Sequence, residues 1–321
     1  MSGTIIEQDR RFYEELLAPR IRSDFPEQEG RIAVGVAGEG SDCFGYDDEI
    51  SRDHDFGVGV SLWLTDEDFA SIGTALQAAY DEALAEWESR ADVHIPADLN
   101  YRLGMRRGVQ KIGRFYQNNL GFRIDHEAPS ISDAVWFRTE EWRFAASVNG
   151  EVFRDNLGRF SGIRDIILGY YPDRIWRMRL ANALHEYAAA MQANYARCMA
   201  RRDIVAASYC RTRSIDAAMD ILFLIRRRYA PYYKWKFRAF SELEGSAEIA
   251  ELIKAAAALP PDAAAWKDYT YDARKINTDD DLVVLFERIG GLLAKELCGA
   301  GLSDTEEPFL EAHCARVASA K

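Results

Sequence analysis

The sequence predicts an α+β protein, with an α/β domain over residues 1–160 and an all-α, helical-bundle domain over 161–321. Two observations in the first half carry this. RIAVGVAG (31–38) and HDFGVGVSLWL (54–64) are short, Val-rich, glycine-bounded runs of the kind that form buried strands. The third observation is that from about residue 161 the spacing of apolar residues is helical throughout. A chain of 321 residues, 48% hydrophobic and 29% charged, can bury one large core or two ordinary ones.

Taken in order, residues 5–17 place Ile5, Phe12 and Leu16 at helical spacing, and Pro19 is expected to close that segment. After the second strand, 66–89 reads as a long helix with Thr65 as N-cap and acids in its first turn. Residues 106–121 read as a short strand turning into a helix, 132–146 as a helix, and 149–155 as a turn and a strand. Pro172 stands at a first-turn position of a helix running to about 200. Further helices are expected at roughly 203–229, 245–258, 262–275 and 279–298.

Composition narrows the function. A net charge of −12 argues against a general nucleic-acid binder, which needs a basic face to displace counterions. The five cysteines are odd in number, scattered and without a CxxC pair, so neither a disulfide framework nor a zinc signature is read from them, and a reducing compartment fits. The first residues mix acids and arginines into their apolar pattern, unlike a secretory signal. No apolar run reaches the roughly 20 residues of a membrane span. A cytoplasmic protein is expected.

The stretch GEGSDCFGYDDEISRDHDFG (38–57) gathers Glu39, Asp42, Asp47, Asp48, Glu49, Asp53 and Asp55, with Arg52 as local relief. A solvated turn tolerates such crowding; a metal site requires some of it. If the strand begins here, Asp53 and Asp55 share one face and His54 takes the other. Two such carboxylates repel unless a cation lies between them, and Mg²⁺ prefers oxygen ligands. Gly40 and Ser41 follow the first strand, where a glycine lets backbone amides approach a phosphate and a serine hydroxyl can bond it.

Strand, Gly-Ser, spacer and Asp-x-Asp on the next strand resemble the nucleotidyltransferase superfamily, which includes the DNA polymerase β relatives and the aminoglycoside nucleotidyltransferases. More closely, GSDCFGYDDEISRDHDFG, GEVFRDNLGRFSGIRD with YYPDRIW, and RRRYAPYYKWKFRAF resemble, in order over roughly 30–245, the bacterial DUF4037 family, described as a nucleotidyltransferase domain followed by a helical domain. The resemblance implies that Gly40 and Ser41 hold a triphosphate and that Asp53 and Asp55 bind Mg²⁺. It also implies a third carboxylate on a later strand, as metal ligand or base. The stretch where it is sought reads Gly108, Val109, Gln110, Lys111, and the neutral Gln110 cannot act as a carboxylate. Asp155 and Glu151, inside the family-like stretch, rank above Asp125 as substitutes.

RRRYAPYYKWKFR (226–238) concentrates Arg226, Arg227, Arg228, Lys234, Lys236 and Arg238 among aromatics. Helix-terminal cations complementing the macrodipole explain Arg226–Arg228, whereas Lys234 is expected, with Arg52, to contact the nucleotide's phosphates. Nucleic-acid contact through stacking is a third reading, disfavoured by the acidic balance. The Arg179–His185 spacing resembles that of HEPN ribonucleases, but residues six apart do not share a helix face cleanly, and His185 is read as a partly exposed residue on a packed helix. His54, His94, His126 and His313 form no ligand spacing.

The expected activity is Mg²⁺-dependent transfer of a nucleoside monophosphate, AMP in the first instance, from an NTP such as ATP to a hydroxyl of a small molecule. The alternatives are transfer to a protein side chain, as an AMPylating or antitoxin-like protein, and nucleotide binding without catalysis. The expected partners are the nucleotide and its acceptor, with neither a membrane nor, on charge, a nucleic acid. The apolar surface of the helical half could serve as core or as a homodimer interface.

Overall fold

The computed structural model describes residues 4–52, 57–91 and 106–319. Asp53, His54 and Asp55 lie outside the described residues, as does His94, and of Arg52 only the backbone is described. The fold is α+β, with a small mixed sheet and many helices. Contacts divide it into two compact units, 1–170 and 171–321.

The first unit opens on helix α1 (Ile5–Phe12), whose N-cap Thr4 and Glu7 form a capping box. Pro19 does not end this segment. A π-helical turn at Tyr13–Leu17 intervenes, and Pro19 then stands at the start of α2 (Ala18–Asp24), where a missing N–H costs little. Strand β1 (Ala33–Val36) follows, then β2 (Ser61–Leu64), α3 (Asp66–Ala91), β3 (Gly108–Lys111) and α4 (Ile112–Leu120). The described lead-in to β2, residues 57–60, is not strand. Thr65 caps α3, its hydroxyl accepting from Asp68 N at 3.1 Å and donating to the Asp68 carboxylate at 2.7 Å. The helix expected over 132–146 is two, α5 (Asp133–Arg138) and α6 (Glu141–Val148), broken at Thr139–Glu140, both extended. Strand β4 (Glu151–Arg154) and α7 (Arg159–Leu168) complete the unit.

The sheet order is β3-β2-β1-β4. Strand β1 pairs antiparallel with both neighbours, and β2 pairs parallel with β3, a pairing that needs a crossover, in which α3 takes part. Alternation along β2 sorts its side chains. Leu62 and Leu64 join Val34, Val36, Phe12, Ile21 and Leu76 in one core. Trp63 belongs to another cluster, stacked on Phe160 at 3.8 Å and edge-on to Phe115 at 5.4 Å. Phe160 belongs to α7, so that helix packs with the sheet-bearing unit.

The second unit is helical: α8 (Asp173–Tyr187) with Pro172 as N-cap, a π-helical segment Ala188–Tyr195, α9 (Ala196–Ala200), α10 (Ile204–Ile225), α11 (Tyr233–Ser241), α12 (Ala247–Ala258), α13 (Asp281–Gly299) and α14 (Glu311–Ser319). Helix α8 packs against α10 and α14, and α10 also against α12 and α13. The helix expected over 262–275 is not formed; a 3-10 turn at Ala264–Trp266 stands there. Asp262 and Asp272 accept from the amides two residues on, at 2.8 and 2.9 Å, offering the backbone turns in place of a helix. Asp280 ties this stretch down, accepting from Tyr195 Oη at 2.9 Å and Trp266 Nε1 at 2.7 Å while capping α13 through Leu282 N. No helix among the described residues is long and apolar enough to cross a membrane.

Candidate functional site

The segment Gly38–Ser41 leaves the end of β1 and enters a 3-10 turn at Asp42–Phe44, with Ser41 in the N-cap position. Its start is held from outside. Gly38 N donates to Asn149 Oδ1 at 2.9 Å, and Asn149 Nδ2 donates to Gly38 O at 2.8 Å. Arg164 of α7 in turn donates to the Asn149 carbonyl at 2.9 Å. The Arg106 guanidinium donates to the Glu39 carbonyl. Gly40 has no room for a side chain, since a Cβ there would come within 2.1 Å of Asp42 Oδ1 and 3.3 Å of the Arg106 guanidinium. Ser41 makes no side-chain capping bond to the turn it begins.

Beneath the loop is a buried charge cluster. Arg107 donates to Asp42 Oδ2 at 2.5 Å, the two side chains being 4% and 9% exposed, and Asp42 Oδ1 also accepts from Cys43 N. The guanidinium touches Cys43 Sγ at 3.6 Å, yet burial, with Asp42 adding to it, pushes the Cys43 thiol up to about 12. Asp9, fully buried on α1, accepts from Gly59 N at 2.8 Å through Oδ1. Its Oδ2 has no hydrogen-bond partner among the described residues. Burial raises its carboxyl to about 8, Arg107 and the Gly59 amide opposing and Asp42 and Asp47 adding to the rise. At neutral pH Asp9 is therefore mostly the neutral acid, which removes a charge from this crowded place.

The other expected residues are placed as follows. Gln110 on β3 pairs across to Trp63, and its Nε2 donates to Ser61 Oγ at 3.0 Å and to Arg106 O at 3.2 Å. Glu151, at the start of β4 and in register with Val36, forms an ion pair with Arg10 and is about half exposed. Asp155 gives both oxygens to amides at the start of α7, Gly158 N at 3.0 Å and Ser161 N at 2.7 Å. Asp125 is exposed and accepts from Glu127 N. Among the acids of the loop, the exposed Asp48 accepts through Oδ1 from Ser51 N and Oγ, both at 2.9 Å. Gly40, Ser41, Glu151 and Asp155 all belong to the first unit. Among the described residues no three His, Cys, Asp or Glu side chains are grouped to hold a metal.

Lys234 belongs to the second unit, exposed on α11 with its ammonium 5.1 Å from the Trp235 ring. Arg226 bonds Glu296 and the Glu244 carbonyl, and Arg227 lies 3.9 Å over Trp176 with Asp173 at 3.3 Å. Both follow directly on the C-terminus of α10, in keeping with the macrodipole reading. Lys236 is buried between Asp216 and Asp220, at 2.5 and 2.6 Å. Arg179 lies over Tyr171 at 4.6 Å, while His185 meets Glu311 at 2.7 Å.

Sequence reasoning missed Asp9, Arg106, Arg107, Asn149 and Arg164. Two left a signal. Asp9 interrupts the apolar stripe Ile5–Phe12, where a charged residue on the buried face demands a reason. Asn149-Gly150 is a turn dipeptide, which announced the turn but not the second task of its amide.

No curated protein and no solved structure matches the chain. One family profile does, described as "Domain of unknown function (DUF4037)", over residues 136–236. That stretch takes in Asn149, Glu151, Asp155, Arg164 and Lys234, and it begins after Gly40–Ser41 and Asp53–Asp55. From Trp136 to Lys236, about a third of its length, the chain is similar to the DUF4037 family.

Proposed function

We propose that the protein is a Mg²⁺-dependent nucleotidyltransferase, moving a nucleoside monophosphate from an NTP, ATP in the first instance, to a hydroxyl of a small molecule. The observation that carries the reading is the Gly38–Ser41 loop. It is fixed at Gly38 by Asn149, closed to any side chain at Gly40, and leaves the Ser41 hydroxyl uncommitted to capping. It leaves β1, whose antiparallel neighbour β2 is preceded in sequence by Asp53 and Asp55. A short loop fixed at its start and carrying glycine and serine is a segment whose backbone a phosphate chain can approach closely.

In this reading Gly40 and Ser41 bind the triphosphate, with Arg52 as a cationic contact, and Asp53 and Asp55 hold the metal; Lys234, expected from the sequence as a second cation, belongs to the other unit and has no part in it. By residue type the proposed ligands, Asp53 and Asp55, are carboxylates, the donors a hard dication prefers, and both lie outside the described residues. Bound there, Mg²⁺ supplies neutralisation of charge on the phosphates. The chain's own groups orient the α-phosphorus for in-line attack by the acceptor hydroxyl, with pyrophosphate leaving. Glu151 is the candidate base that keeps an accessible carboxylate, since Asp155 spends both oxygens on amides.

Titration calorimetry with each of the four NTPs, with and without Mg²⁺, tests the site. Mg²⁺-dependent binding of one NTP is expected, and no binding of any NTP refutes the reading. Asp53→Asn should then lower turnover by roughly 100-fold or more with an unchanged circular-dichroism spectrum. Intact-mass analysis after incubation with ATP and a lysate separates a small-molecule acceptor from a protein acceptor.

Gln110 favours a second reading, a nucleotide-binding protein without catalysis. It stands on the strand where a carboxylate is expected and spends its amide on Ser61 and Arg106. NTP binding without release of pyrophosphate is its signature.

A further inference from the structure

Strand β3 is separated from β1 by β2, yet the arginine two residues before β3 reaches the loop that leaves β1. The pairing explains how. Gly35 near the end of β1 stands opposite Ser61 at the start of β2, and Ser61 pairs in turn with Gly108 at the start of β3. Arg106 therefore stands at the end of the sheet from which the Gly38–Ser41 loop departs. Its guanidinium donates to the Glu39 carbonyl, and its Nη1 lies 3.3 Å from the place a Gly40 Cβ would take.

The backbone of Arg106 is held by two side chains. Ser61 Oγ donates to its carbonyl at 2.9 Å, and Gln110 Nε2 donates to the same oxygen at 3.2 Å and to Ser61 Oγ at 3.0 Å. A carboxylate at position 110 would have no N–H to give to either oxygen. The amide that cannot act as a base thus has a task of its own, closing a network of three residues behind Arg106. The next residue, Arg107, points the other way and is buried on Asp42. Of the two consecutive arginines, one neutralises an acid inside the unit, and the other is half-buried beside the loop.

We infer that Arg106 contacts the phosphate chain of the bound nucleotide and that Gln110 is the residue that positions it, an inference that rests on the triphosphate reading of the Gly38–Ser41 loop. A guanidinium carries several N–H donors in a planar fork that matches phosphate oxygens, and the Glu39 carbonyl takes one of them. The glycine amides and the Ser41 hydroxyl are neutral donors, so they bind a phosphate group with little regard to total charge. The contribution of Arg106 grows with the charge of the ligand. It therefore selects a nucleoside triphosphate over the corresponding monophosphate.

The test is titration calorimetry of the full chain in the presence of Mg²⁺. The four NTPs are titrated first, and the one bound most tightly is then compared with its diphosphate and monophosphate. Arg106→Gln should weaken triphosphate binding by roughly 10- to 100-fold, the worth of a charge-assisted hydrogen bond. The diphosphate should lose less and the monophosphate least. Arg106→Lys, which keeps the charge without the fork, should show a smaller loss with the same gradation, and it carries the test if the glutamine variant does not fold. Gln110→Glu leaves the arginine in the chain and should show the graded loss as well. If the wild type binds no NTP, the triphosphate reading falls and this inference with it. If the wild type binds but the Arg106 variants bind as tightly, the inference alone is overturned. An equal loss for all three phosphates also overturns it, since the arginine would then only shape the loop. Unchanged affinity in Gln110→Glu overturns the positioning role.

Discussion

Asp9→Asn isolates the consequence of burying a carboxyl with one oxygen unsatisfied. The asparagine keeps an acceptor for Gly59 N and mimics the neutral acid. In the wild type the folded-state value of about 8 exceeds the ordinary 3.8, so between these values the folded chain holds a proton that the unfolded chain has lost. Asp9's contribution to stability is therefore full below about pH 4 and is lost as pH rises toward 8, at about 1.4 kcal/mol per pH unit. An asparagine does not titrate and carries no such loss, so the stability difference between variant and wild type should grow with pH. Between pH 5.5 and 8 the growth should be about 3 kcal/mol in favour of the variant, and it should level off above pH 8. Urea unfolding of both proteins at half-unit intervals measures it, and taking the difference cancels the other titrating groups. A pH-independent difference would refute the reasoning. So would a variant that loses ground as pH rises, which would mean that Asp9 is charged and held by Arg107.

Three further substitutions test the packing. Phe160→Ala removes the ring stacked on Trp63 and should destabilise the first unit by about 3–5 kcal/mol, read as a lower urea midpoint and a changed tryptophan emission. Gly150→Ala places a Cβ 2.0 Å from Val36 O at a φ of +63°, and should cost at least about 2 kcal/mol with loss of exchange protection in β1 and β4. Lys236→Met leaves Asp220 and Asp216 without their shared cation and should cost the second unit about 3 kcal/mol, less at acid pH, because burial raises the Asp220 carboxyl and favours its neutral form. Thermal unfolding at pH 5.5 and 8 checks that ordering.

The elements legible in the sequence are those whose signals are local. Thr65 with Asp68 announced α3, and Pro172 announced α8, because caps and first turns are written within four residues. Glycine and valine marked β1 for the same reason. The failures are places where distant atoms decide. Residues 262–275 have helical spacing, but Asp280 draws Trp266 inward and the local carboxylates take the amides. Pro19 reads as a stop, and only the π turn before it makes the position tolerable. The candidate loop shows the same division. Gly40 and Ser41 were visible as residue types beside a strand, whereas the groups that shape the loop come from Asn149, Arg106 and Arg107, far along the chain.

The double hydrogen bond at Gly38 has a further meaning for how this protein can be changed. A side-chain amide bonded to both backbone groups of one residue copies the pairing of two strands, so Asn149 acts as a one-residue extension of the sheet beyond β1. The loop's start is thereby fixed by a residue 111 positions away in sequence, inside the segment that matches the DUF4037 profile, while Arg106 holds the Glu39 carbonyl further on. The loop is therefore not a portable cassette: grafted onto another strand without its amide partner it would carry its letters but not its form.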